Sequence, residues 1–265
     1  MNTDPVSHRR RQILRGLAAA ALCPNFIAAK EAGTQPCNRE ILAAIKEMPS
    51  GGGYDTSSAT TKIMGQATLA KRHGLALAPD LAKPSYCSGA TYLVLLQCLD
   101  RLGLLKDPTL AKALIISDIA DGTGAWGRWN ANGPGAARFC YQTGIGANFE
   151  DWKKAAPGDF LKIFWNEHVG AKERGHLVVL TDIGRGKDPL VRFWSSNQPK
   201  GYGTKSVKQS EIKWAIFSRI QRAERIGQVL KLPKSDTYLA GLLKRPSNRK
   251  EVREKCGMPP ISPGS

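Results

Sequence analysis

Long apolar runs are missing from this sequence. None approaches the roughly 20 residues that a membrane-spanning helix needs, so no integral membrane span is expected. No segment repeats at a fixed period. No Cys/His pair has zinc-ligand spacing, and there is no Gly-x-Ser-x-Gly nucleophile elbow. Gly122–Gly127 matches the glycine spacing of a dinucleotide loop. No convincing strand precedes it, however, and the residues that follow do not open a helix. No metal or other cofactor is therefore expected. Histidine is scarce, at four residues, and acidic residues number 22 against 39 basic ones. The resulting charge of +17 favours anionic partners. The basic residues are spread along the chain with only a mild cluster near Lys244–Lys255, so charge alone does not point to nucleic acid.

The first 30 residues read as an export signal. Arg9, Arg10 and Arg11 precede a short Ala-rich apolar stretch, Gly16 to Ala29, with small residues at its end. Paired arginines followed by Gln-Ile-Leu-Arg resemble a twin-arginine signal, which implies a periplasmic or extracellular destination. Without the net three positive charges of residues 1–29, about +14 remains. Six cysteines are present, and Cys23 falls inside the leader. If Cys87 is set aside as a nucleophile, Cys37, Cys98, Cys140 and Cys256 remain. They are enough for two disulfides in an oxidising compartment, with a bridge between the chain ends through Cys37 and Cys256 an attractive possibility.

Periodicity divides the remainder. Helical patterns come first, over 38–48, 60–73, 88–102, a segment opened by Asp107-Pro108, and 134–143. Residues 121–135, rich in Gly, Asn and Trp, read as a long loop or lid. Short runs rich in Val, Ile, Phe and Trp follow at 160–165, 176–183 and 190–197, and read as antiparallel strands. Helices followed by strands imply an α+β domain over 31–205. Residues 206–265 read as a basic, mainly helical extension.

Cys87 stands immediately before a strongly apolar helical segment. Backbone N–H groups and the helix dipole stabilise a thiolate there, and Ser88, Gly89 and Ala90 leave room for a substrate. His176 opens a strand after a short turn, where a rigid element can aim it at a site. If Ile183 faces Leu190 across a hairpin, the partner of His176 is Asn197. Its amide could fix the imidazole tautomer, with Ser195 on the same face as a second candidate.

The order Cys-Ser-Gly at a helix start, Pro157-Gly158-Asp159 at a strand entry, and Gly175-His176 opening the next strand resembles the NlpC-type papain-like hydrolases of bacterial cell walls. The resemblance covers about residues 84–200. It departs at Tyr86, where the family usually has Asp, and at the Trp/Asn insert 121–135. It implies N-terminal helices packed on a small antiparallel sheet and a thioester mechanism on peptidoglycan stem peptides. It also implies an oxyanion site built from the N–H groups of Cys87 or Ser88 with Tyr54. In the insert itself, Trp126, Trp129, Asn130 and Asn132 could line the pocket with stacking surface and amide groups, and the tryptophans could equally be core anchors. A monomer acting on peptidoglycan or another anionic wall polymer is expected. Two alternatives stay open: a non-catalytic wall-binding module with Cys87 buried or bridged, and a secreted cysteine protease or amidase acting on proteins.

Overall fold

A computed structural model describes residues 37–259. The leader, with Arg10, Arg11 and Cys23, lies outside them. Helix α1 (Asn38–Glu47) and the two-residue strand β1 (Gly51–Gly52) come first. Next come α2 (Ser58–Gly65) and a hairpin of β2 (Thr68–Lys71) and β3 (Gly74–Leu77). The expected helix over 60–73 therefore stops early, and its second half is strand. α3 (Cys87–Arg101) and α4 (Pro108–Leu114) follow, the latter capped by Asp107, whose carboxylate accepts from the Thr109 and Leu110 N–H groups.

Residues 121–135 do not form a lid. They contain helix α5 (Gly124–Asn130), directly followed by α6 (Gly135–Thr143). The reason is burial. Trp126, Arg128 and Trp129 are each 1% exposed. Trp129 meets Phe139 and Phe160 edge-on, and its indole N–H donates to Thr91 Oγ1 at 3.3 Å. Arg128 donates to Gly124 O and Gln142 Oε1. Tertiary packing overrides the glycine-rich local signal.

The rest is mainly sheet: β4 (Gly146–Phe149), β5 (Phe160–Phe164), β6 (Val169–Gly170), β7 (Gly175–Ile183), β8 (Leu190–Asn197), β9 (Gly201–Lys208) and β10 (Trp214–Ile220). Helix α7 (Thr237–Gly241), strand β11 (Pro246–Ser247) and helix α8 (Arg249–Lys255) close the described chain. Seven strands form one antiparallel sheet in the order β1-β9-β8-β7-β5-β10-β4. The fold is thus mixed α+β. Among the described residues no helix is long and apolar enough to cross a membrane.

The described part of the expected 206–265 extension, residues 206–259, is not a helical appendage. β10 lies inside the sheet between β5 and β4. Its sequence Trp-Ala-Ile-Phe-Ser-Arg-Ile is buried on both faces and so lacks the alternation that marks a half-exposed strand. Trp214 stacks on Phe164 with centroids 3.7 Å apart. Tyr238, Leu239, Leu242 and Val252 pack into the same cluster as Trp214 and Ile216. Asp236 receives Arg138 at 2.9 Å and Gln142 at 2.7 Å, which ties this segment to α6.

One face of the sheet packs against the helices through Phe160, Leu177, Val179 and Trp194, joined to the apolar side of α3. The other face carries Leu161, Val178, Leu180, Phe193 and Phe217. The five described cysteines are free. Cys37 lies against Cys98 between α1 and α3, whereas Cys256 belongs to the separate C-terminal cluster. Cys37 and Cys256 therefore do not clamp the ends together.

Candidate active site

Cys87 is the first residue of α3, and its sequence neighbours explain its placement. The connector before it is docked on the sheet: Tyr202 Oη donates to Ala82 O at 2.9 Å, and Ser196 Oγ donates to Ser85 O at 3.1 Å. Tyr86 is buried, with its hydroxyl 2.7 Å from Thr61 Oγ1 and its ring against Trp126. This residue anchors the helix start by packing, and the strong desolvation of its phenol raises its pKa to about 12. The first N–H groups of α3 have no side-chain cap, so the partial positive charge of the helix start faces the thiol.

His176 is the second residue of β7. Its Nε2 is 3.0 Å from Asn197 Oδ1. The Asn197 Nδ2 donates to Ser195 O at 3.1 Å and Gly203 O at 2.8 Å, so the amide has only one orientation. Its oxygen must face the ring, the ring must present Nε2–H, and Nδ1 is left for Cys87. The ring also meets Phe193 edge-on at 5.7 Å. Three side chains from a helix start and two strands thus meet as thiol, imidazole and carboxamide.

Burial pushes the Cys87 thiol up. The hydrogen bond and charge of His176, the Leu177 backbone N–H and the Lys162 ammonium more than offset that, bringing it to about 6. A group at that value is largely thiolate at neutral pH. Tyr54 also approaches the thiol, its hydroxyl 4.0 Å from the sulfur. It follows Gly51, Gly52 and Gly53, all at positive φ; Gly51 and Gly52 pair with β9, and Tyr54 itself bridges Ser85. Only glycine adopts three such conformations in succession without strain. Burial and the neighbouring thiolate push the Tyr54 phenol up, so it stays a proton donor.

Cys87 lines a cavity of about 430 Å³, together with Tyr54, Ser88, Asn130, Asn132 and Lys162. On the other side of Tyr54 and Gly175 lies a groove of about 390 Å³ with His176, Asn197, Trp165, Arg174 and Lys205. The signs differ: the first space has Asp118 and Asp121 on its wall, the second Arg174 and Lys205.

Of the residues expected at the site, Trp126 and Trp129 back the cavity but are almost wholly buried, so they are core anchors and offer no stacking face. Ser88 Oγ donates to Asn130 Oδ1 at 2.6 Å, which orients the Asn130 amide. Ser195 is fully buried and donates to Leu177 O at 2.8 Å. It supports the strand and does not face either space. Asp118, Asp121, Arg174, Lys205, Lys162 and Glu173 escaped sequence reasoning because single charges in loops and strands carry no local signature. Among the described residues, no group of three or more His, Cys, Asp or Glu converges as a metal site. Comparison with protein-family models, curated proteins and solved structures returned no match.

Proposed function

We propose that this chain is an exported cysteine hydrolase of papain-like, NlpC-type design that cleaves an amide bond, with stem peptides of peptidoglycan as its substrate class. The observation that carries the reading is the chain of contacts from Cys87 at a helix start to His176, and from His176 Nε2 to the fixed oxygen of Asn197. In this reading the thiolate attacks the amide carbonyl. The first-turn N–H groups of α3 and the Tyr54 hydroxyl receive the oxyanion. Protonated His176 gives its proton to the leaving amine, a thioester forms, and water activated by the same imidazole releases the acid.

The leaving amine must lie beside His176, and so in the basic groove; the acyl portion then occupies the space walled by Asp118 and Asp121. A peptide bearing both amine and carboxylate groups suits such a site, and wall stem peptides have that character. The net positive charge favours residence on anionic wall polymer. A non-catalytic wall-binding module would leave Cys87 buried or bridged. Here it is half-buried, unbridged and open to a cavity, which favours the hydrolase.

The deciding experiment is release of new amines from purified peptidoglycan by the full chain, beside Cys87→Ala and beside a protein digest. Release that is lost in the variant supports a wall amidase. Cleavage of protein alone would transfer the same chemistry to a protease, and no cleavage of either with a sluggish Cys87 would sink the enzyme reading. Export is tested by changing Arg10 and Arg11 to Lys; unchanged export would refute the twin-arginine signal.

A further inference from the structure

Lys162 occupies the middle of β5 on the face that carries Phe160 and Phe164, a position where an apolar residue is expected. Its side chain is 13% exposed and bonds Glu173 Oε1 at 2.5 Å; the Glu173 side chain is 4% exposed. The second Glu173 oxygen accepts the Gly170 N–H at 2.9 Å, which fixes the carboxylate. Desolvating such a pair costs about as much as its attraction returns, and an apolar pair would fill the space without that cost. The pair does not fill a remote part of the core. Both residues line the Cys87 cavity.

The site is also built around this pair. A Cβ on Gly175 would come within 2.6 Å of Glu173 Oε1 and 2.7 Å of Lys162 Nζ. A side chain at the residue preceding His176 would therefore have to displace the ion pair. Across the ladder Lys162 faces Leu177, whose N–H meets the Cys87 sulfur. The ammonium thus sits beside the backbone that carries both His176 and the Leu177 donor.

We propose that Lys162 is a positioning residue acting through Cys87: its ammonium supports the thiolate, and Glu173 limits how strongly it does so. The inference rests on the reading of Cys87 as the nucleophile. Its sign follows from charge. The groups facing Cys87 are His176 from β7, Tyr54 from the glycine loop, Tyr86 from the residue before α3, and the Lys162–Glu173 pair; Asp118 and Asp121 stand on the cavity wall. Besides His176, only Lys162 among these is a cation.

The test is the rate of iodoacetamide addition to Cys87 in the full chain, followed by mass across the pH range. Wild type, Lys162→Met, Glu173→Gln and the double variant are compared. Lys162→Met leaves a bare carboxylate, so the midpoint of the profile should rise by about half a unit or more, cutting the rate about threefold on the acid side. Glu173→Gln frees the ammonium, so the midpoint should fall by a similar amount, and the double variant should lie between the two. A merely structural pair would shift both single variants the same way or neither, and that result overturns the proposal. If Lys162→Met does not fold, Glu173→Gln still decides, since an unmoved or raised midpoint refutes the proposed signs. A wild-type Cys87 with an ordinary thiol midpoint would instead overturn the underlying nucleophile reading, and this proposal with it.

Discussion

Asn197→Ala isolates the third member of the site. The substitution removes the acceptor 3.0 Å from His176 Nε2 and the two donations to Ser195 O and Gly203 O. The imidazole becomes charged when it takes the thiol proton, so the lost bond is charge-assisted and is worth about 1.5–3 kcal/mol. If all of it acts on the reactive ion pair, kcat/KM falls by roughly 10- to 150-fold. The fall should be smaller than that for Cys87→Ala, because the ring keeps its contact with Phe193 and the thiol keeps the helix start. Asn197 is nearly buried, and the abandoned carbonyls of Ser195 and Gly203 should also lower stability, by about 1–2 kcal/mol. The assay therefore pairs amine release with iodoacetamide addition to Cys87 and a thermal melt. The expected pattern is a raised midpoint in the addition profile, a large loss of turnover and a small loss in the melt. Turnover within twofold of wild type with an unchanged profile would refute the assignment of Nε2–H to Asn197 and of Nδ1 to Cys87.

Alkylation of Cys87, and with it activity, should rise as pH climbs through about 6; a profile centred near the ordinary thiol value, about 8.5, would contradict the site electrostatics. Because the folded thiol lies below its unfolded value, its contribution to stability is fully present above about pH 8.5 and is lost as pH falls through about 6, which urea titrations of wild type and Cys87→Ala should show as a difference. Tyr54→Phe removes the hydroxyl 4.0 Å from the sulfur and should lower kcat by about 10- to 100-fold with little change in the melt, whereas unchanged kcat would make Tyr54 a pocket wall. Asp159→Asn breaks the double contact with Arg219, at 2.7 Å to each oxygen, and weakens the Asn38 bond. Because the Arg219 side chain is 21% exposed, the loss should be about 2–3 kcal/mol, below the range for fully buried pairs, and a melt within 1–2 °C of wild type would refute it.

Much of the architecture was legible where one face of an element is apolar and its ends carry turn chemistry. The helix after Tyr86, the strand after Pro157-Gly158-Asp159 and the strands on either side of 184–189 fall where their patterns place them. Legibility failed where burial is complete or imposed from afar. Gly124–Asn130 is helical because two tryptophans and Arg128 find partners in α3, α6 and the residues before α7. Trp214–Ile220 shows no alternation because both its faces are covered. The Lys162–Glu173 pair is invisible for a different reason: its significance depends on Gly175 and Cys87, which the fold alone brings beside it.

The hairpin that carries His176 and Asn197 shows how local rules can mislead while the geometry still closes. Direct pairing of Ile183 with Leu190 was the simplest expectation. In the fold Ile183 faces Val191, and Gly184 N–H instead reaches Leu190 O. That one-residue offset, continued down the ladder, would turn His176 away from Asn197, since side chains alternate between faces. A bulge between Leu180 and Asp182 removes it. Beyond the bulge Leu180 faces Phe193 and Val179 faces Trp194, and His176 meets Asn197. The extra residue is Thr181, placed between the turn and the site. It lets the connection from 184 to 189 take its own geometry without moving the imidazole. The geometry of the site therefore depends on the parity of β7 between residues 176 and 181, and much less on the turn beyond it.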